Sequence, residues 1–389
     1  MLSYEELTFP EVEALPRDLP LVIPLGNRQE YSDEGLRSAL GLSEWCWMPS
    51  VPYGFPSPDP VLGALAVAPQ VLERLLGSLL AILAEDGFTR VHLVSCHGPA
   101  GSLPVVSVPG RPGAWPPCPP AGRVALISTG HTEQHGLHLP LATDTLIIEA
   151  LAARVEGLRP HRVWRLPPWP YGVSTHRRQY PGTLSADPRA WEDFWVEVVG
   201  CLYRMGFRCV YLINGHGGNH SFLVNAVKFC GERWPDAFVA TSFLHTSSGR
   251  AAAELARLRA SSLMGHACEL ETSYLLALRP DLVRLERVVD EEDFISTPSY
   301  RMDWIEAGPL VANPPWTDDT RTGTLGAPSR ASAAKGQAWL AAAAEEMAGH
   351  VDEILEQRER RRQRQAQGWV EGAWRGHQGK DSRPRSRLD

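Results

Sequence analysis

The 389-residue chain is poor in the features that mark three protein classes. No C-x-x-C pair occurs among its seven cysteines, at 46, 96, 118, 201, 209, 230 and 268. An odd, unpaired set fits a reducing compartment better than a disulfide framework. Excess positive charge is missing: 38 Lys and Arg stand against 45 Asp and Glu, a net charge of −7, so no basic face is offered to a phosphate backbone. The longest apolar run, near Leu75 to Leu83, is too short to cross a bilayer. Met1 to Glu6 has no basic region leading into an apolar core, as a signal peptide would. A cytoplasmic protein with no nucleic-acid or membrane partner is expected. At this length, one large domain with an appendage, or two domains, is the default.

The chain does carry a concentration of metal-ligand side chains. Gly130-His131-Thr132-Glu133-Gln134-His135-Gly136-Leu137-His138-Leu139-Pro140, with Asp144 beyond it, follows an apolar strand at Val124 to Ile127. Its carboxylates and imidazoles converge only if the loop folds back on itself, which Gly130, Gly136 and Pro140 permit. A second cluster, Asn214-Gly215-His216-Gly217-Gly218-Asn219, follows the buried-strand pattern Arg208 to Ile213. A third is Gly265-His266-Ala267-Cys268-Glu269-Leu270-Glu271-Thr272-Ser273. In order and spacing, over roughly residues 121 to 350, these segments resemble the creatininase family of metal-dependent amidohydrolases. Strands expected near 123–128, 162–166, 208–213 and 237–243 alternate with helices near 143–156, 187–205, 219–232 and 270–278, and a long helix is expected from Ser332 to the Arg-rich stretch Arg358 to Arg362. That alternation predicts an α/β fold, and with the resemblance a three-layer α/β/α creatininase-like unit with a mainly parallel sheet.

The resemblance implies Glu133, His135, Asp144 and His216 as metal ligands, with Asp144 bridging two divalent ions: Zn²⁺ first, Mn²⁺ or Fe²⁺ as alternatives. Creatininase itself has a glutamate two residues after the Asn-Gly-His histidine, where this chain has Gly218. Glu269 is expected to supply the missing fifth ligand, with Glu271 the other candidate for that place or for a catalytic role. Two ions roughly 3.5–4 Å apart lower the pKa of a shared water toward about 7, and the resulting hydroxide would attack an amide carbon. His266 matches the family's proton-handling histidine. Ahead of Pro181-Gly182-Thr183 the family's glutamate is lost and two arginines are gained, so His176, Arg177, Arg178 and Tyr180 are expected to bind substrate, the arginines favouring an anionic group. Trp304 and Trp316 either line the pocket or pack the core. His131, His220 and His245 are expected to be structural or exposed.

The motif also occurs a second time in damaged form. Met48-Pro49-Ser50-Val51-Pro52-Tyr53-Gly54 lines up with Leu166 to Gly172, and Gly87 to Gly98 with Gly206 to Gly217, at nearly one offset. Gly26 to Tyr31 then falls on Gly130 to His135, with Gln29 in place of the carboxylate and Tyr31 in place of the imidazole. The expected organisation is a degenerate α/β copy without metal ligands (1–105), a Pro-rich linker (106–120), a catalytic domain (121–356) and a charged, disordered tail (357–389). The expected function is hydrolysis of a non-standard C–N amide bond in a cyclic amide, a formamide or a short modified peptide, by a homo-oligomer. The alternative is a non-catalytic binding or scaffolding protein on the same fold.

Overall fold

The computed structural model describes residues 2–116, 119–244, 249–305 and 308–367; His245, Cys118 and the tail from 368 lie outside them. Runs of consecutive apolar residues form its strands, because a parallel strand covered by helices is buried on both faces. In the first sheet β1 (Leu2–Ser3), β2 (Leu21–Leu25), β3 (Cys46–Trp47), β4 (Val91–Ser95) and β5 (Val105–Ser107) lie in the order β1-β3-β2-β4-β5, all parallel. In the second, β6 (Val124–Thr129), β7 (Val163–Arg165), β8 (Cys209–Asn214) and β9 (Phe238–Phe243) lie in the order β7-β6-β8-β9, again parallel. A short antiparallel pair, β10 (Met264–His266) with β11 (Leu325–Gly326), closes one end.

Helices α1 (Phe9–Glu13), α2 (Asp33–Leu40), α3 (Pro60–Gly63) and α4 (Pro69–Glu85) accompany the first sheet. The second carries α5 (Thr143–Leu158), α6 (Pro188–Arg204), α7 (His220–Arg233), α8 (Gly249–Leu258), α9 (Glu269–Leu278) and α10 (Ala333–Ala366). These agree with the strand and helix positions expected from sequence. Starts are chemically marked: Asp187 caps α6 by accepting from Ala190 N, with Pro188 in the first turn, and Ser332 caps α10 by accepting from Lys335 N.

Alternation along β6 sorts its side chains between two cores. Val124 and Leu126 face α5 and α10, among Ile147, Leu151, Trp339 and Leu340. Ala125 and Ile127 join the core that runs from the second sheet into the first half of the chain. There Tyr53 lies between the rings of Trp169 (5.4 Å), Phe194 and Trp195 (6.5 Å each). All four are buried, and at about 1.5–3 kcal/mol per large apolar side chain this cluster binds the halves firmly. The Tyr171 hydroxyl donates to Pro49 O at 2.5 Å across the same boundary.

Two organisational expectations change. The linker is docked: β5 pairs with β4 inside it, Gly110 bridges to Tyr31, and Trp115 packs between Tyr53 and Trp164. The start of the expected tail is helical, since α10 continues to Ala366. Its Glu, Arg and Gln residues are good helix formers, and pairs such as Glu356 with Arg360 (2.5 Å) lie one turn apart. The first residues matter to the second half as well. Leu7 O accepts from Leu141 N and Glu5 O from Ala142 N, both at 2.9 Å, just ahead of Asp144.

Candidate active site

Three segments meet at the carboxyl ends of β6 and β8, where open parallel sheets place their ligand sites. The loop after β6 does fold back: His135 bridges to both Leu137 and Leu139, and Gly136 takes a left-handed φ of 62°. It presents Glu133 and His135, and the first turn of α5 adds Asp144. His216 follows β8. His266 ends β10, and the tight turn at Ala267, a non-glycine residue at φ 49°, delivers Glu271 from the first turn of α9.

These six side chains are buried and face one another. His216 Nδ1 lies 3.0 Å from Glu133 Oε1 and 3.1 Å from Asp144 Oδ2. His135 Nε2 lies 3.2 Å from Asp144 Oδ1 and 3.7 Å from Glu271 Oε1. His266 Nδ1 is 3.8 Å from Glu133 Oε1 and 3.9 Å from Glu271 Oε2. Asp144 thus turns one oxygen to each of two imidazoles.

Whether this set suits a cation follows from its donors. Each ring gives its other N–H to a backbone carbonyl: His216 Nε2 to Val173 O (3.0 Å), His135 Nδ1 to Glu133 O (3.1 Å) and His266 Nε2 to Gln134 O (2.7 Å). A carbonyl only accepts, so in the neutral ring the nitrogen facing the cluster is a lone pair aimed at carboxylate oxygens, themselves acceptors. Acceptors gathered around acceptors call for positive charge between them. Asp144 Oδ2 correspondingly has no hydrogen-bond partner. Burial works against charge on His135 and His216, yet Asp144 and Glu271 hold His135 well above its usual value, and Glu133 with Asp144 push His216 up to about 9. Burial likewise opposes ionised Asp144, but His135 and His216 bring it down to about 2. The residues therefore fit divalent ions.

The expected fifth ligand is corrected on geometry. Glu269 faces away: its carboxylate accepts from Ala260 N (3.0 Å), Ser261 N (2.7 Å) and Ser261 Oγ (2.5 Å), and pairs with Lys335 Nζ at 2.5 Å. Side chains two apart on a helix point about 200° apart, so only one of Glu269 and Glu271 can meet the cluster, and Glu271 does. Gly218 explains why no acid stands two residues after His216. A Cβ there would lie 2.1 Å from Val173 O and 2.5 Å from His216 Nε2, in the path of the hydrogen bond that orients the ring.

A cavity of about 580 Å³ opens from the cluster. His176 and Arg177 line it, as do Trp304 and Trp316. Arg177 pairs with Glu133 Oε1 at 2.5 Å and lies 3.8 Å over the Trp316 ring. Two expected substrate residues are elsewhere. Arg178 is exposed and pairs with Glu85 of α4, and the Tyr180 hydroxyl donates to Thr320 O at 2.8 Å beneath the loop. His131 is buried against His216, with Nδ1 accepting from Gly172 N at 2.9 Å, while His220 lines the cavity. Sequence reasoning missed Ser174, whose hydroxyl donates to Glu133 Oε2 at 2.7 Å. It also missed the wall formed by Phe222, Phe243, Tyr300 and Val311. Ser174 could have been found from its place after the Pro-Tyr-Gly turn; the wall residues carry no local signal.

Comparison with known proteins agrees. The model of the creatininase family, described as creatinine amidohydrolase, matches residues 117–351. The chain belongs to the creatininase family. A mycofactocin precursor peptide peptidase of Mycolicibacterium smegmatis is 33% identical over 218 residues, 55% of this chain and 78% of the relative. A 3-dehydro-scyllo-inosose hydrolase of Thermotoga maritima is 28% identical over 234 residues, 59% and 74% of the respective lengths. Among solved structures, a manganese creatininase (25% identity, 60% of this chain and 92% of that chain) and a Zn–Zn creatininase variant (26%, 60% and 91%) each superpose with a TM-score of 0.52. Family membership supplies the reaction class, a metal-dependent amidohydrolase acting on a carbon–nitrogen bond.

Proposed function

We propose that the protein hydrolyses a non-standard amide bond, in a cyclic amide, a formamide or a short modified peptide, with two divalent ions held by Glu133, His135, Asp144, His216 and Glu271. The observation that carries this reading is the convergence of these five donors, with Asp144 offering an oxygen to each side. Zinc is the first candidate and manganese the second, in keeping with related structures that hold each. Bound there, the ions would polarise the amide carbonyl and acidify a water.

This chain's residues do the rest. Burial, Arg177 and His135 hold His266 well below its ordinary pKa, so it starts neutral. Its Nδ1 receives the proton released by the attacking water and passes it to the leaving nitrogen, while the Gln134 carbonyl fixes the ring. Arg177, positioned by Trp316 and Glu133, presents its charge to an anionic group on the substrate. The aromatic wall excludes water and takes apolar parts of the substrate. The binding-only alternative is disfavoured because the donor set is complete.

We further propose a cytoplasmic location, and that the first half of the chain is a shortened copy of the catalytic fold, covering α6 as a neighbouring subunit would in a homo-oligomer. Metal analysis tests the main reading. About two ions per chain in the catalytic cluster, falling in Glu271→Gln and unchanged in Glu269→Gln, is the expected result. Loss in Glu269→Gln alone would overturn the ligand assignment, and no uptake at this cluster would overturn the reaction.

A further inference from the structure

The carboxyl ends of β2 and β4, the central neighbours of the first sheet, carry a cluster that the catalytic reading leaves unused. Glu30, Cys96 and His97 bring one ligand atom each to within 4.8 Å of one another. His97 Nε2 lies 2.6 Å from Glu30 Oε2, and Cys96 Sγ lies 3.7 Å from the same oxygen. The alignment that places Gln29 opposite Glu133 hides this pair. A single turn at Arg28–Glu30 brings the next residue to His97, so the Glu30–His97 contact stands at the first sheet where Glu133–His216 stands at the second.

We propose that Glu30, Cys96 and His97 bind a single divalent transition-metal ion, Zn²⁺ by the chemistry of its donors, separate from the catalytic pair. Thiolate, imidazole and carboxylate on one ion are a zinc donor set, with solvent in the fourth position.

Three features beyond the grouping of the trio favour a built site. The first is room: a Cβ on Gly26 would lie 2.4 Å from both Glu30 Oε2 and His97 Nε2, so the space beside these atoms exists only because residue 26 is glycine. The second is an outer layer that holds the ligands. Gly113 N donates to Glu30 Oε1 at 2.9 Å, and Ser57 Oγ lies 3.0 Å from His97 Nδ1. The hydroxyl can donate or accept. In the cation-free chain His97 donates from Nε2 to Glu30 and accepts from Ser57. When the ion enters, the ring proton moves to Nδ1 and is given to Ser57 Oγ, freeing the Nε2 lone pair. The third is burial: the His97 and Glu30 side chains are 0% and 7% exposed. A thiol binds such an ion as thiolate, so uptake of the ion would release the Cys96 proton. The ion would fasten the connector to the sheet, because Glu30 also accepts from Arg111 N through its carbonyl at 3.0 Å.

A thiolate distinguishes this site from the catalytic one, whose five donors include no sulfur. The full-length protein, purified without chelators, is stripped, reloaded with Co²⁺ and desalted. The expected result is a thiolate-to-cobalt charge-transfer band and three ions per chain. Cys96→Ser abolishes the band and lowers the count by one. His97→Ala lowers the count by one, and Asp144→Asn keeps the band while emptying the catalytic cluster. Absence of the band in the wild-type protein, or a count that does not change in Cys96→Ser and His97→Ala, overturns the proposal. Because the band is read on wild type, a variant that fails to fold cannot rescue it. Failure of the catalytic reading is seen separately, as a wild-type count of one with the band present.

Discussion

Two parallel sheets in one chain end in clusters of very different capacity. The second sheet gathers three carboxylates and four imidazoles, His131 among them, in the buried space beyond β6 and β8. The first sheet, at β2 and β4, gathers one carboxylate, one imidazole and one thiol. The strands are not what differs, since both central pairs run parallel and are buried at their carboxyl ends. The connection is. Residues 130–142 fold back on themselves before α5 begins, whereas residues 26–32 pass almost directly into α2. A short loop has room for one ligand and a long one for several, so the sheet supplies a place and the loop decides its chemistry.

The most damaging change should be Asp144→Asn, because Asp144 serves both halves of the catalytic cluster. Amidase activity should be lost and metal content fall by about two ions, while the first cluster is untouched. Simultaneous loss at both clusters would break the comparison. Gly218→Ala should come next. Its methyl would displace Val173 or His216, and the loss of an orienting contact typically costs about 10–100-fold in metal affinity or activity; chelator competition and kcat would read it. His266→Gln should leave metal content unchanged and lower kcat by about 10²–10⁴-fold, the usual contribution of a positioned proton carrier. An equal loss of metal would mean that His266 is a ligand.

Glu269→Gln separates stability from chemistry. Both catalytic ions should remain, but Lys335 and Ser261 lose an ionised partner. Because Lys335 keeps some contact with water, a loss of about 2–4 kcal/mol is expected, below the full range for a buried pair, seen as a lower urea midpoint. The smallest effect belongs to Arg178→Ala, which removes an exposed pair with Glu85. Stability should change by about 1 kcal/mol or less and kcat/KM not at all, whereas Arg177→Ala should raise KM for anionic substrates.

The arrangement of strands and helices was legible because β6 and β8 open on apolar runs and α6 and α10 have marked starts, at Asp187-Pro188 and Ser332. Four of the five proposed ligands, three in loops and Asp144 in the first turn of α5, lie in segments whose residue types were plain. The fifth was misjudged because Glu269 and Glu271 fall in one helical turn, where composition gives no phase; the backbone amides of Ala260 and Ser261 and the side chains of Ser261 and Lys335 that claim Glu269 are distant in sequence or lack a pattern. Arg178 and Tyr180 were misplaced for the same reason, since a run of polar residues does not say which of its members turns inward. Glu30 was hidden by an alignment that pairs residues by position, when the contact is made one residue later.

The hydrogen bonds from Leu141 and Ala142 to the carbonyls of Leu7 and Glu5 tie the order of synthesis to the birth of the active centre. Leu2 and Ser3 find their strand partners at Cys46 and Trp47, but the amides that donate to Glu5 O and Leu7 O are made more than a hundred residues later. The loop that carries Glu133 and His135 is thus finished against chain that the first sheet already holds in place. Residues that touch no catalytic side chain therefore hold the far end of the loop that presents two of them.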